Sequence, residues 1–133
     1  MHAYAWTALV TLLSLLVYMM TIIRVGGARA KFKVPAPAMS GEPEFDRHFR
    51  VQMNTLESLP FFLPSLWLFA FCWSDVWAAG IGAFWIIGRL IYMNAYVRDP
   101  KSRSLGFMTQ GAASMVLLIG ALIGVVQSLI FGG

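Results

Sequence analysis

Four stretches of this 133-residue chain are almost bare of charge, and that pattern limits the fold more than any other feature. Residues 3–23 and 104–133 carry no charged side chain, 51–74 carry only Glu57, and 76–97 only Arg89. Each stretch reaches or exceeds the roughly 20 apolar residues that cross a bilayer as a helix. Composition agrees: 59% of residues are hydrophobic and 12% charged, whereas a soluble domain carries about 25% charged residues. The predicted fold is an all-α integral membrane protein, a bundle of four transmembrane helices.

At roughly 20 residues per span, loops and ends share what is left, so the expectation is one four-helix transmembrane domain over residues 1–133. The first span has no basic n-region and no small-residue cleavage site. It reads as a retained anchor, with the mature chain starting near Met1. Cys72 is the lone cysteine, so no intrachain disulfide forms and packing is its expected role. A net charge of +4 would suggest nucleic acid in a soluble protein, but here its placement marks topology. Arg24, Arg29, Lys31, Lys33, Arg47 and Arg50 lie in or beside the first connection, and Arg98, Lys101 and Arg103 in the third. The positive-inside rule then puts loops one and three in the cytoplasm and both termini on the opposite side, with no nucleic-acid partner.

Helix one is expected over 3–25, stopping at Gly26 and Gly27, which favour a C-terminal cap. Pro35, Pro37 and Pro43 keep the first loop out of helix. Glu44 and Asp46 suit a helix N-terminus, so helix two is expected from near Glu44, bent by Pro60 and Pro64. The short Ser74–Asp75 turn makes helices two and three antiparallel neighbours, with Asp75 a turn residue. Helix three is expected over 76–96, broken by Asp99 and Pro100. Loop three covers 101–104, and helix four ends near Ile130. Gly120 and Gly124 match the small-xxx-small pattern of close helix contacts, within the bundle or between copies.

Charge inside a membrane costs about 2.5 to 3.5 kcal/mol even on the lenient scale, so each intramembrane polar group needs a partner or water. At helical spacing Arg50, Asn54 and Glu57 fall within about 60° of one another, and Arg89, Tyr92 and Tyr96 span a similar arc. Antiparallel packing can bring the two stripes to one depth. Together they would suit a small zwitterion with more than one carboxylate. Arg forks grip carboxylates, Glu holds an ammonium, and Asn and Tyr add directional bonds. Two blander outcomes stand beside this: Glu57 and Arg89 paired to hold the bundle, and Arg50 snorkelling to the interface.

The segment Glu42-Pro-Glu-Phe-Asp-Arg-His-Phe-Arg-Val-Gln-Met-Asn-Thr-Leu-Glu57, with Pro60 following, resembles the hallmark of the membrane-associated proteins in eicosanoid and glutathione metabolism, the MAPEG family. Gly88-Arg-Leu-Ile-Tyr-Met-Asn-Ala-Tyr96, with Arg98 and Arg103 after it, is similar to the third helix and following loop of that family's leukotriene-C synthase and microsomal glutathione transferase branches. The resemblance implies a homotrimer of four-helix protomers in a bacterial inner membrane or the endoplasmic reticulum. Glutathione would serve as co-substrate, bound between subunits near the cytoplasmic side. It implies that Arg50, Gln52, Asn54, Glu57, Arg89, Tyr92 and Tyr96 hold the tripeptide and that Arg103 sits near the thiol and activates it, with no metal.

A free thiol has a pKa near 8.5 and a neighbouring Arg lowers it, which raises the fraction of nucleophilic thiolate. A lipophilic electrophile would arrive through the bilayer. Two positions depart from the leukotriene branch: Ser58 replaces a tyrosine, and Ala30 replaces a second arginine, leaving Arg29 as the implied carboxylate contact. A general glutathione transferase is therefore expected ahead of a lipid-mediator synthase, with reduction of lipid hydroperoxides as a companion activity. A non-enzymatic lipid-binding family member and a small multidrug transporter are the alternatives. His48 falls off the Arg50 stripe and reads as solvated or packed, His2 as a disordered end. Trp73 and Trp77 flank the tight turn where an interfacial aromatic belt belongs.

Overall fold

A computed structural model describes residues 2–132. The start of the chain at Met1 lies outside the described residues. A 3-10 turn, His2–Tyr4, leads into α1 (Ala5–Phe32), α2 (Pro43–Cys72), α3 (Asp75–Arg98), a second 3-10 turn at Pro100–Ser102, and α4 (Ser104–Phe131). His2, expected as a chain end, opens the first of these turns. No strand occurs among the described residues. All four helices are long and apolar enough to cross a membrane. At 1.5 Å per residue, α1 and α4 reach about 42 Å, beyond the ~30 Å hydrocarbon core.

Helices α2 and α3 form the centre, each packing on the other and on both α1 and α4. The buried face of α1 is Thr7, Val10, Ser14, Val17, Thr21, Val25 and Ala28, a mostly three-four spacing of small side chains that allows close packing. Two of its buried hydroxyls are satisfied within the helix, Ser14 Oγ donating to Thr11 O at 2.7 Å and Thr21 Oγ1 to Tyr18 O at 2.6 Å, while Thr7 Oγ1 donates to Asp75 O of α3 at 3.4 Å. Leu59, Phe62, Leu66, Trp85 and Leu117 fill the middle of the bundle, where the Phe62 and Trp85 rings stack at 4.2 Å. Outward faces are apolar, Ile23, Leu122 and Leu129 among them, as a lipid-facing surface requires.

Three boundaries differ from expectation, each for a local reason. Helix α1 runs through Gly26 and Gly27 and ends at Lys33, whose φ of 55° is left-handed, two residues before Pro35. Glycine weakens a helix by about 1 kcal/mol without ending it, and here Val25 and Ala28 pack with Val34 and Phe45, which holds the last turns. Loop three is shorter than expected: Pro100–Ser102 is already helical and Ser104 opens α4. Asp75 is the first residue of α3, behind Ser74, whose Oγ accepts from Trp77 N at 3.3 Å. Its carboxylate accepts from Thr7 N at 2.8 Å and Trp6 N at 3.3 Å, so a residue of α3 caps the start of α1.

Helix α2 opens as read, with Glu42 accepting from Phe45 N at 2.9 Å and Pro43 in the first turn. It continues unbroken past Pro60 and Pro64.

Candidate functional site

Six of the residues singled out from sequence line one cleft of about 890 Å³ at the end of the bundle that carries loops one and three: Arg50, Asn54, Glu57, Tyr92, Tyr96 and Arg103. Its volume lies within the ~300–1,000 Å³ of small-molecule sites. Helix α2 supplies the first three at i, i+4 and i+7, and α3 supplies the tyrosines at i and i+4, as helical spacing requires.

The cleft has its shape because α3 and α4 touch backbone to backbone. A Cβ on Gly106 would strike the Tyr92 backbone nitrogen, and one on Gly88 would lie 2.6 Å from the Gln110 nitrogen. Tyr92 belongs to that crossing, one turn along α3 from Gly88, and Arg103 stands about one turn back from Gly106 along the chain. The Pro100–Ser102 turn is pinned by Ser102 Oγ, which donates to Ala95 O at 3.0 Å and Asp99 O at 2.7 Å, and by Asp99 Oδ1, which accepts from Lys101 N at 3.1 Å. Arg103 follows directly, its guanidinium 6.0 Å from the centre of the Tyr96 ring. Tyr96 stacks on Tyr92 at 5.6 Å, and the Arg89 guanidinium lies 4.5 Å from the Tyr92 ring centre. Two cations thus flank a pair of phenol rings.

Arg89 itself is absent from the cleft lining. It is fully buried, with Nη1 donating to Asn54 Oδ1 and Nη2 to Thr55 Oγ1, both at 2.7 Å. The Glu57–Arg89 pair does not form; among the described residues the one ion pair is Lys31–Glu44 at 3.5 Å, and Glu57 stands exposed. Arg29 is also elsewhere: its Nη1 donates to Ala38 O at 2.7 Å and its guanidinium covers the Phe45 ring at 4.9 Å, holding loop one. Gln52 is half-buried and off the cleft wall in this chain. His48 is half-buried and likewise off the cleft wall.

Helical spacing from Arg50 also reaches Asp46 and Met53, which line the cleft and which sequence reading passed over. Asp46 Oδ1 accepts from Gly41 N at 3.1 Å, tying loop one to the rim. Met39, Phe107 and Met108 complete an apolar side. They come from three-dimensional proximity alone, with no periodic signal linking them to α2. The arrangement offers two exposed guanidinium groups, two carboxylates, an amide and two phenols beside a soft apolar wall.

Four apolar helices around a polar end-cleft define a multi-pass membrane bundle. Residues 7–123 match the MAPEG family, and the chain belongs to it. It is 44% identical over 124 residues to an uncharacterised protein of Synechocystis, covering 93% of this chain and 90% of that one. It is 40% identical over 101 residues to human microsomal glutathione S-transferase 2, covering 75% and 69% of the two chains. Rat leukotriene C4 synthase is 36% identical over 120 residues, covering 90% and 80%.

Proposed function

We propose that this chain is a membrane-embedded glutathione transferase that holds glutathione in the cleft, stabilises its thiolate, and joins the sulfur to a lipophilic electrophile taken from the bilayer. One observation carries this reading: Arg103 opens onto the same cleft as the Arg50, Asn54, Glu57 stripe and the two tyrosines, in a chain of the MAPEG family. Relatives named glutathione S-transferase and leukotriene C4 synthase support the choice of co-substrate.

Arg50 would grip a carboxylate of the tripeptide, Glu57 its ammonium, and Asn54, Tyr92 and Tyr96 its remaining polar groups. Arg103 is the catalytic residue of the proposal. A guanidinium stays charged at any working pH, so it favours the thiolate without returning a proton to sulfur. The thiol proton leaves to water, the carbon–sulfur bond forms, and a halide or equivalent group departs with its bonding electrons. Arg29 and Gln52, which the family resemblance adds to the site, face away from the cleft in one chain. The reading accordingly includes a homotrimer, one membrane domain per chain, with glutathione between subunits and loops one and three in the cytoplasm.

A glutathione titration near neutral pH, followed by thiolate absorbance on detergent-solubilised protein, should show thiolate forming on binding. Arg103→Ala should lower conjugation of a generic aryl halide about 10- to 100-fold, keep glutathione affinity within about threefold, and shift the rate profile to higher pH because the thiol regains its ordinary pKa. An unchanged rate and thiolate signal would remove Arg103 from the chemistry. Arg50→Ala or Glu57→Gln should instead weaken binding. Replacing the halide with a lipid hydroperoxide tests the companion activity.

A further inference from the structure

Arg89 is the one charged residue between 76 and 97, and it is 0% exposed on a membrane-spanning helix. A cation there is costly, and no carboxylate among the described residues pairs with it. It touches instead two residues of the cleft wall from behind, donating to Asn54 Oδ1 and lying over the Tyr92 ring. Its second contact, Thr55 Oγ1, is oriented by donating to Val51 O at 2.7 Å. Arg89 Nε has no partner among the described residues.

We infer that Arg89 is a positioning residue for the cleft: it locks the Asn54 amide with its oxygen inward, so the wall at that depth presents an NH2 donor and selects a ligand bearing an acceptor oxygen.

The chemistry permits one orientation only. A guanidinium carries donors and no acceptor, so the amide must turn its oxygen toward Arg89, and the nitrogen lies at the other end of the planar group. Asn54 Nδ2 makes no hydrogen bond within the described residues, yet it is not one of the buried unpartnered nitrogens, which are Trp85 Nε1 and Arg89 Nε. It is open to the cleft that Asn54 lines. An unconstrained Asn would offer either end to a ligand. Held by Arg89, it offers a donor to a peptide carbonyl or carboxylate and nothing to a ligand donor. The identity of the ligand as glutathione rests on the proposed function, whereas the amide orientation does not.

Two substitutions in the full-length protein test this. Asn54→Asp keeps the side-chain shape, gives Arg89 a carboxylate, and turns the cleft-facing group from donor to acceptor. Its unfolding temperature should equal or exceed that of the parent, while glutathione affinity falls about tenfold or more. Thr55→Val removes the other Arg89 contact without touching the cleft. Its unfolding temperature should drop while affinity stays within about threefold. Affinity retained in Asn54→Asp, a lowered unfolding temperature in that variant, or parallel affinity losses in both variants would each overturn the assignment. Should the parent protein bind no glutathione, the functional reading falls on its own. In that event a raised unfolding temperature in Asn54→Asp still supports the locked amide, and a lowered one still overturns it.

Discussion

At the α3–α4 crossing beside the cleft, Gly88 and Gly106 bring backbone against backbone. At the α2–α4 crossing nearer the tight-turn end, Gly120 and Gly124 instead receive side chains, Phe69 and Cys72 respectively. Only the second pair shows the four-residue spacing on one helix; Gly88 and Gly106 come from different helices and meet only in the fold. What can yield differs between Gly120 and the Gly88–Gly106 contact: the Phe69 ring can change rotamer, whereas a helix backbone moves only by shifting the whole helix, and Cys72 Cβ against Gly124 is as fixed as its backbone. The rigid crossing is the one that sets Tyr92 against Phe107 at 6.2 Å and fixes where α4 begins after Arg103. The more forgiving contact, at Gly120, packs apolar surface, and Trp73 Nε1 donates to Gly120 O there at 2.7 Å.

The largest expected effect is at the rigid crossing. Gly106→Ala should cost about 3 kcal/mol or more in unfolding free energy, and glutathione binding should fall with it, since the Tyr92 backbone is pushed aside. No truncation of a neighbouring side chain should restore it. Gly120→Ala should cost about 1–2 kcal/mol, and adding Phe69→Leu should recover most of that loss. If both alanine variants respond equally to side-chain truncation, the distinction between the crossings is lost. Asp75→Ala removes the cap that α3 lends to α1. The unfolding temperature should fall slightly, with faster hydrogen exchange at Trp6 and Thr7 and no change in the cleft. Smallest and opposite in sign is Gly26→Ala. Nothing lies within 4 Å of a Cβ there, so the helix should gain about 0.5–1 kcal/mol, read as a raised unfolding temperature.

Much of the site was legible because α2 and α3 are regular helices. Spacing alone put Arg50, Asn54 and Glu57 on one face, and Tyr92 with Tyr96 on another, and both faces line the cleft. Arg103 was legible only through family resemblance, because it precedes a helix and has no period to follow. Spacing misled at Arg89. It shares the arc of Tyr92 and Tyr96, yet the side chain ends behind the wall, bound by Asn54 and Thr55 in place of Glu57. An arc of about 60° fixes which way a Cβ points, and a long arginine can finish on either side of a neighbouring ring.

Hydropathy by itself determined the four spans, because a run of uncharged residues has no alternative to burial in lipid or protein, and helical period determined the polar face of α2. Tertiary structure decided which partner each long or ambiguous side chain took: Asp75 the start of α1, Arg29 the loop carbonyl of Ala38, Gly120 the Phe69 ring. Those choices depend on distances between segments far apart in the chain. Local sequence encodes direction along one helix, and only packing brings two helices to a common depth.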